Sequence, residues 1–233
     1  MEATNFYIAA ALIVGILFPG YAILDGVKTR QLLQNDPSKK VYIFQVTAIQ
    51  LIVLMVVSLV PFWIDRLSPT VIGLEFISNP FWIIGLFVIS FLGLWLFNQI
   101  GFTPESAQKV QQQHSRIQFL LPTTAREYRL MVIVSFIAGI CEEILYRGFL
   151  LWFLSGHLPL IPSIILANLP FALAHLTTTG VKNTFVAFIL ALVFTGAFLL
   201  TQSLWLCILL HILVDLYSVT ISYKSTKVLQ TNS

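Results

Sequence analysis

The residues best suited to do chemistry lie in one short stretch, Cys141–Leu150, which reads CEEILYRGFL. Glu142, Glu143 and Arg147 interrupt a sequence that is otherwise apolar for more than a helical turn on either side. A charge held at the depth of a membrane span costs roughly 2.5–3.5 kcal/mol on insertion scales. We therefore expect these three side chains either to pair with one another or to take part in a reaction.

The spacing of these charges separates a pair from a single acid. Residues four apart lie on one face of an α-helix, so Glu143 and Arg147 can form an ion pair within one helix. Such a pair would account for both residues without any catalytic role. Glu142 is turned by about 100° from Glu143 and lacks an equivalent partner. It is therefore the acid that most strongly indicates a functional site.

More polar residues follow in later apolar segments. Asn168 and His175 lie in one segment, and His211 lies four residues before Asp215 in another. Each has a structural alternative: Asn168 is expected to bond a neighbouring helix, and a histidine–aspartate pair can satisfy itself within one helix. Because ionisable groups inside spans usually mark function, their occurrence together with Glu142 favours a shared site.

The elements that must position these residues are membrane-spanning helices. The chain has 233 residues, of which 58% are hydrophobic and 10% are charged, whereas a soluble domain carries roughly 25% charged residues. This composition excludes an ordinary soluble domain and indicates an all-α, polytopic transmembrane helix bundle. A span needs about 20 apolar residues. About seven are predicted: Phe6–Leu24, Val41–Ile64, Phe81–Ile100, Leu130–Leu154, Leu160–Leu176, Thr184–Leu200 and Leu204–Ile221.

The basic residues predict an orientation for this bundle. Lysines and arginines outside the spans lie on alternate loops, with Arg66 as the exception. This pattern supports seven spans, places the N-terminus outside and the C-terminus in the cytoplasm, and implies the inner (plasma) membrane if the chain is bacterial. An eighth span is the alternative, although Val71–Ile77 is expected to reach only the membrane interface.

Polar groups are unevenly distributed along the chain. The first three predicted spans contain no ionisable residue except at their ends, which localises the site to the last four spans. We divide the chain into N-terminal spans with a cytoplasmic loop (1–127), a core that carries the site (128–223) and a polar tail expected to be disordered (224–233). Pro104–Leu120 is expected to form an amphipathic helix on the cytoplasmic surface.

Carboxylates and imidazoles gathered in a semi-dry cavity can activate water. A carboxylate beside an imidazole acts as a general base, and a second imidazole can stabilise a developing oxyanion, so the set suits hydrolysis of an amide or ester. The same four residues also make a suitable N2O2 shell for a divalent metal such as zinc. Both versions stay open on the residue types alone. The four residues are Glu142, His175, His211 and Asp215.

Three motifs resemble those of the CPBP family, the CAAX proteases and bacteriocin-processing (Abi-type) intramembrane proteases. Each motif lies on its own apolar segment, and their order along the chain also matches the family. The resemblance covers roughly Tyr128–Tyr223, while the earlier spans vary within the family. The motifs are E-E-x-x-x-R at Glu142, Glu143 and Arg147, F-x-x-x-H at Phe171 and His175, and H-x-x-x-D at His211 and Asp215.

This resemblance implies an intramembrane endopeptidase that acts on a membrane-held peptide. The family pattern gives water activation to Glu142 and His175, and oxyanion stabilisation to His211 together with residue 215. Mechanisms with and without a metal have both been argued for the family, so zinc on these four residues is the one cofactor considered. The residues given supporting roles are Glu143, Arg147 and Phe171.

One position departs from the commonest form of the third motif, which ends in asparagine. The present chain has Asp215 there, and an ionised aspartate cannot donate a hydrogen bond to an oxyanion. We expect Asp215 instead to orient His211 through a ring N–H. Protonation of Asp215, or a metal ion bound to it, is the alternative.

The resemblance narrows the substrate only to a class. It implies either a CAAX-type prenylated protein or a bacteriocin or leader-type peptide, with the lipid bilayer as surroundings and no nucleic acid partner. A proton-coupled transporter is a second hypothesis, because buried acids and histidines suit a proton relay, but the inverted repeats common in such carriers are not visible. A non-catalytic self-immunity protein is a third, although all motif positions hold chemically competent residues.

Overall fold

Helices make up nearly all of the structure. The computed structural model describes residues 2–75, 81–99 and 101–231, and these ranges contain no strand. The predicted all-α architecture is confirmed. The helices are α1 (Glu2–Leu12), α2 (Phe18–Asn35), α3 (Lys40–Ile64), α4 (Phe81–Gln99), α5 (Pro104–Gln113), α6 (Ala125–Glu143), α7 (Leu151–Ser155), α8 (Leu160–Ala174), α9 (Leu176–Thr179), α10 (Val181–Thr201) and α11 (Leu204–Thr231).

The chain forms an integral membrane protein. Among the described residues, four helical segments are long and apolar enough to cross a membrane: Asn5–Asn35, Pro37–Ile64, Val181–Thr201 and Leu204–Thr231. Helix α8 is shorter, and the seven-span count and the orientation stay predictions. Of the predicted segments, positions 76–77, 100 and 232–233 lie outside the described residues.

The first membrane helix is longer than predicted. A π-helical turn at Ile13–Leu17 joins α1 to α2, and helical structure then continues well past Leu24. It stops where Asp36 caps the following turn, accepting a hydrogen bond from the backbone N–H of Ser38 (3.2 Å), just before Pro37. The charges that follow Leu24 mark the end of the apolar stretch rather than the end of the helix.

The helix that carries CEEILYRGFL begins at a well-defined cap. The Thr124 hydroxyl accepts from the backbone N–H of Glu127 (3.2 Å), and the Glu127 carboxylate accepts from the backbone N–H of Thr123 (2.8 Å). Together these bonds satisfy N–H groups that the first turn leaves free. Directly after Glu143 the helix widens into a π-helical turn, Ile144–Leu150, and every residue of that turn is buried. Such turns are rare and frequently occur at functional sites.

The predicted amphipathic helix is present but shorter than expected. Helix α5 begins at Pro104 and ends at Gln113, whereas the prediction extended to Leu120. The Thr103 side chain and that of Ser106 cap it reciprocally. The helix packs against α11, and its Ala107 and Val110 are buried.

The polar tail forms part of α11, so the expectation of disorder was wrong for residues 224–231. The Gln111 amide on α5 donates to the hydroxyls of Ser225 (2.8 Å) and Thr226 (3.0 Å). These long-range bonds give the last turns of α11 a protein surface to pack against. Polar composition indicated exposure to water, but it did not reveal this partner.

Helices α6 and α11 cross closely at Gly139, one turn before the two glutamates. A Cβ atom added at Gly139 would lie 2.5 Å from the Ile212 side chain, 3.2 Å from the Ile212 backbone nitrogen and 3.4 Å from the Ile208 carbonyl oxygen. The last two atoms belong to the helix backbone, so they can yield only if α11 moves. The glycine therefore sets how near His211 comes to α6.

Replacing Gly139 with alanine should separate α6 from α11. We expect a loss of about 1–3 kcal/mol in the free energy of unfolding, as for other overpacked sites, together with lower activity because His211 follows α11. Thermal unfolding of the purified protein in lipid measures the first effect. Gly20→Ala is the matched control, because Gly20 is helical and its added Cβ would meet nothing within 4 Å. Equal unfolding temperatures for the two variants would contradict this prediction.

Candidate active site

A buried, hydrogen-bonded set of three ionisable side chains links α6 to α11. Glu143 Oε1 accepts a hydrogen bond from Arg147 Nη1 (2.8 Å) and a second from His211 Nδ1 (2.7 Å). Glu143 is 0% exposed and Arg147 is 1% exposed. The ion pair predicted from the four-residue spacing is therefore present. Because its carboxylate also receives the His211 N–H, the pair additionally holds that imidazole in one orientation.

Two phenylalanine rings enclose these three side chains. The Arg147 guanidinium carbon lies 4.8 Å from the centre of the Phe171 ring and 5.7 Å from that of Phe194. The same two rings contact the His211 imidazole, at 5.9 Å and 5.7 Å between ring centres. Arginine over an aromatic face is stabilised by the ring quadrupole. Phe194 comes from α10, and one aromatic residue among many apolar ones gave no signal in the sequence.

The other nitrogen of His211 lies between two carboxylates. Its Nε2 is 3.6 Å from Glu142 Oε2 and 3.9 Å from Asp215 Oδ2, and both separations exceed a direct hydrogen bond. The ring N–H bond that we expected from Asp215 is made by Glu143 instead. The four-residue spacing placed Asp215 on the correct helical face, but a carboxylate from α6 reaches the ring more closely.

His175 closes the C-terminal end of α8. Its Nδ1 lies 2.9 Å from the backbone carbonyl oxygen of Phe171, and a carbonyl can only accept, so Nδ1 carries a proton. In the neutral ring Nε2 is then left as a proton acceptor. Pro170, inside α8, cannot donate the usual backbone hydrogen bond, which loosens the helix just before this histidine.

Glu142 and His175 line the same cavity, which has a volume of about 260 Å³. Glu142 belongs to α6 and His175 to the end of α8, so two predicted motifs meet at one space. The opposite wall is built by α2 and α3, which the sequence had not connected with the site. Polar residues that line this wall are Tyr21, Asp25, Thr29, Thr47 and Gln50.

The residues on α2 share a pattern that could have been found. Tyr21, Asp25 and Thr29 are each four apart and therefore lie on one helical face. The predicted first span ended at Leu24, so Asp25 counted as a loop residue. A helix carried through to Asn35 would have placed Asp25 and Thr29 on the same face as Tyr21.

The predicted zinc shell does not assemble in this arrangement. Within residues 2–75, 81–99 and 101–231, no group of three or more histidine, cysteine, aspartate or glutamate side chains is placed to hold a metal ion. Zinc on these four residues therefore stays a prediction, and no chemical step below is routed through a metal.

Asn168 has the structural role predicted for it. Its amide nitrogen donates to the Thr195 hydroxyl (2.9 Å) on α10 and to the Ile164 carbonyl oxygen (2.8 Å). The side chain is 1% exposed. It joins α8 to α10 and thereby steadies the two helices that supply His175 and Phe194.

Comparison with known proteins identifies the part of the chain that contains this site. Residues 124–217 match the family model described as type II CAAX prenyl endopeptidase Rce1-like. No curated protein and no solved structure matches the chain. The matched region includes all three motifs and the hydrogen-bonded side chains of His211, Glu143 and Arg147. The match supports a CAAX/CPBP-type protease family for residues 124–217.

Proposed function

We propose that this protein is an intramembrane endopeptidase that hydrolyses a peptide bond with water activated by Glu142 and His175. The observation that carries the proposal is that Glu142 and His175, both from the region that matches the protease family, line one cavity. A carboxylate and an imidazole on one water are a competent general base. The substrate is a membrane-held peptide, either of the CAAX type or of the leader type.

The attack would proceed in the cavity that Glu142 and His175 line. The water loses a proton to Glu142 or His175 and adds to the scissile carbonyl carbon, and the carbonyl oxygen becomes an oxyanion. His175 is suited to accept, because the Phe171 carbonyl holds the proton on Nδ1 and the neutral ring then has Nε2 as its acceptor. The captured proton then passes to the amide nitrogen as the oxyanion re-forms a carbonyl and the C–N bond breaks. The products are a new carboxyl terminus and a free amine.

His211 would stabilise the oxyanion. Its Nδ1–H is directed to Glu143, so a proton on Nε2 makes the ring doubly protonated, and the carboxylates around the ring balance that charge. Preorganised donors of this kind supply a large part of the catalysis of acyl transfer. Asp215, at 3.9 Å from Nε2, contributes to that balance rather than donating itself.

The test is cleavage by the purified protein in lipid vesicles. A prenylated C-terminal peptide and an unprenylated leader-type peptide are incubated in isotopically labelled water, and the products are identified by mass spectrometry. We expect new carboxyl termini that carry the label in at least one peptide. Intact peptides together with proton flux across the same vesicles would overturn the proposal and favour a proton-coupled carrier.

A further inference from the structure

We propose that the cavity is selective for a substrate segment bearing a basic side chain, and that Asp25 is the residue that selects it. This inference rests on the proposed function and adds one property of the substrate, namely the charge of its side chains next to the cleaved bond. The juxtaposition that carries it is an unpaired carboxylate on α2 in the same cavity as Glu142 and His175.

Asp25 is held in place but not neutralised. The Thr29 hydroxyl donates to its carboxylate (3.3 Å), and the Tyr21 hydroxyl, which accepts from the Gln50 amide (2.9 Å), lies beside it. Among the described residues, no lysine, arginine or histidine lies within 4.0 Å of the Asp25 carboxylate, although Lys28 is only one turn further along α2. The side chain is half-buried, so water screens it only in part.

The charges that line the cavity have one sign. Glu142 and Asp25 both contribute carboxylates to the cavity. The other ionisable side chains among its lining residues are His175 and Tyr21, and these lining residues include no lysine or arginine. A cleft with low-dielectric walls and one sign of charge focuses its potential and concentrates the opposite charge. A lysine or arginine of the substrate would therefore be attracted, and a carboxylate would be repelled.

The size of the cavity limits what enters it. The cavity measures about 260 Å³, a little less than the roughly 300–1,000 Å³ usual for small-molecule sites. It therefore has room for only a small part of a peptide substrate. The segment next to the scissile bond is the part that must reach Glu142. Asp25 would therefore act on residues near the cut, where it sets specificity without touching the reacting atoms.

Binding of matched peptides tests this inference separately from catalysis. The probes are fluorescent, acyl-anchored peptides of alanine and serine with a single central lysine, glutamine or glutamate. Their affinities are measured by anisotropy with the full-length protein in nanodiscs, using wild type, Asp25→Asn, Asp25→Lys and the control Glu105→Gln. Glu105 is an exposed acid on α5 that does not line the cavity.

We expect wild type and Glu105→Gln to bind the lysine peptide about five- to tenfold more tightly than the glutamate peptide, as a partly screened ion pair allows. Asp25→Asn should weaken the preference to about twofold, because Glu142 still lines the cavity, and Asp25→Lys should reverse it. Equal affinities for all peptides in wild type, or a preference that Asp25→Asn leaves unchanged, would overturn the inference. Because binding is measured directly, absence of cleavage would count against the proposed function alone.

Discussion

Replacing Glu142 with glutamine should abolish cleavage while leaving the fold intact. The amide keeps the size of the side chain but cannot accept a proton from water, so we expect kcat to fall by about 10²–10⁴-fold, the range typical of a lost general base. Glu142 makes no direct hydrogen bond to His211, its Oε2 being 3.6 Å from Nε2. Its loss should therefore change the thermal unfolding temperature little.

His175→Ala should produce a comparable loss. If Glu142 and His175 act on one water, the double variant should be only slightly slower than either single variant, because groups that act as a unit are strongly non-additive. Single-turnover cleavage of a labelled peptide measures the rate of the chemical step for all three. Glu105→Gln serves as the control, since it removes an exposed carboxylate from α5. A Glu142→Gln protein that cleaves at the wild-type rate would exclude Glu142 as the base.

Each of the three motifs could be found in the sequence because it is a local spacing on one helix. A four-residue interval fixes a common face whatever the rest of the fold does, so the Glu143–Arg147 pair was predictable and is present. The same rule predicted that Glu142 has no ion-pair partner on its own helix. Local spacing does not fix distances between helices, and for that reason it assigned the N–H of His211 to Asp215 rather than to Glu143.

The wall of the cavity formed by α2 and α3 could not be predicted in the same way. In lipid, apolar faces give little information about which helix packs on which, since lipid and neighbouring side chains are similarly apolar. The close approach of α2 to α9 depends on Gly26, whose added Cβ would lie 2.3 Å from the Thr177 hydroxyl. A single glycine in the sequence does not predict such a contact. The π-helical turn at Ile144–Leu150 likewise has no distinct composition.

Breaking the buried Glu143–Arg147 pair should be the most destabilising change in the molecule. Removing one partner of a buried ion pair leaves an uncompensated charge and costs about 3–5 kcal/mol. Glu143→Leu should be the more severe variant, because Arg147 then retains only the faces of Phe171 and Phe194. Arg147→Met should be milder, since the Glu143 carboxylate keeps its bond from His211. For a chain of this length we expect the unfolding temperature to fall by about 10 °C or more.

The double variant Glu143→Leu/Arg147→Met separates stability from catalysis. It removes both charges together, and replacing a buried pair by apolar residues of similar size is often neutral for stability, so its unfolding temperature should recover toward that of the wild type. Its cleavage should not recover, because His211 has lost the acceptor that orients its ring. Thermal unfolding and peptide cleavage measured on the same preparations test both halves. A double variant that regains activity along with stability would show that Glu143 serves only to neutralise Arg147, whereas a stable but inactive one assigns the orientation of His211 to Glu143.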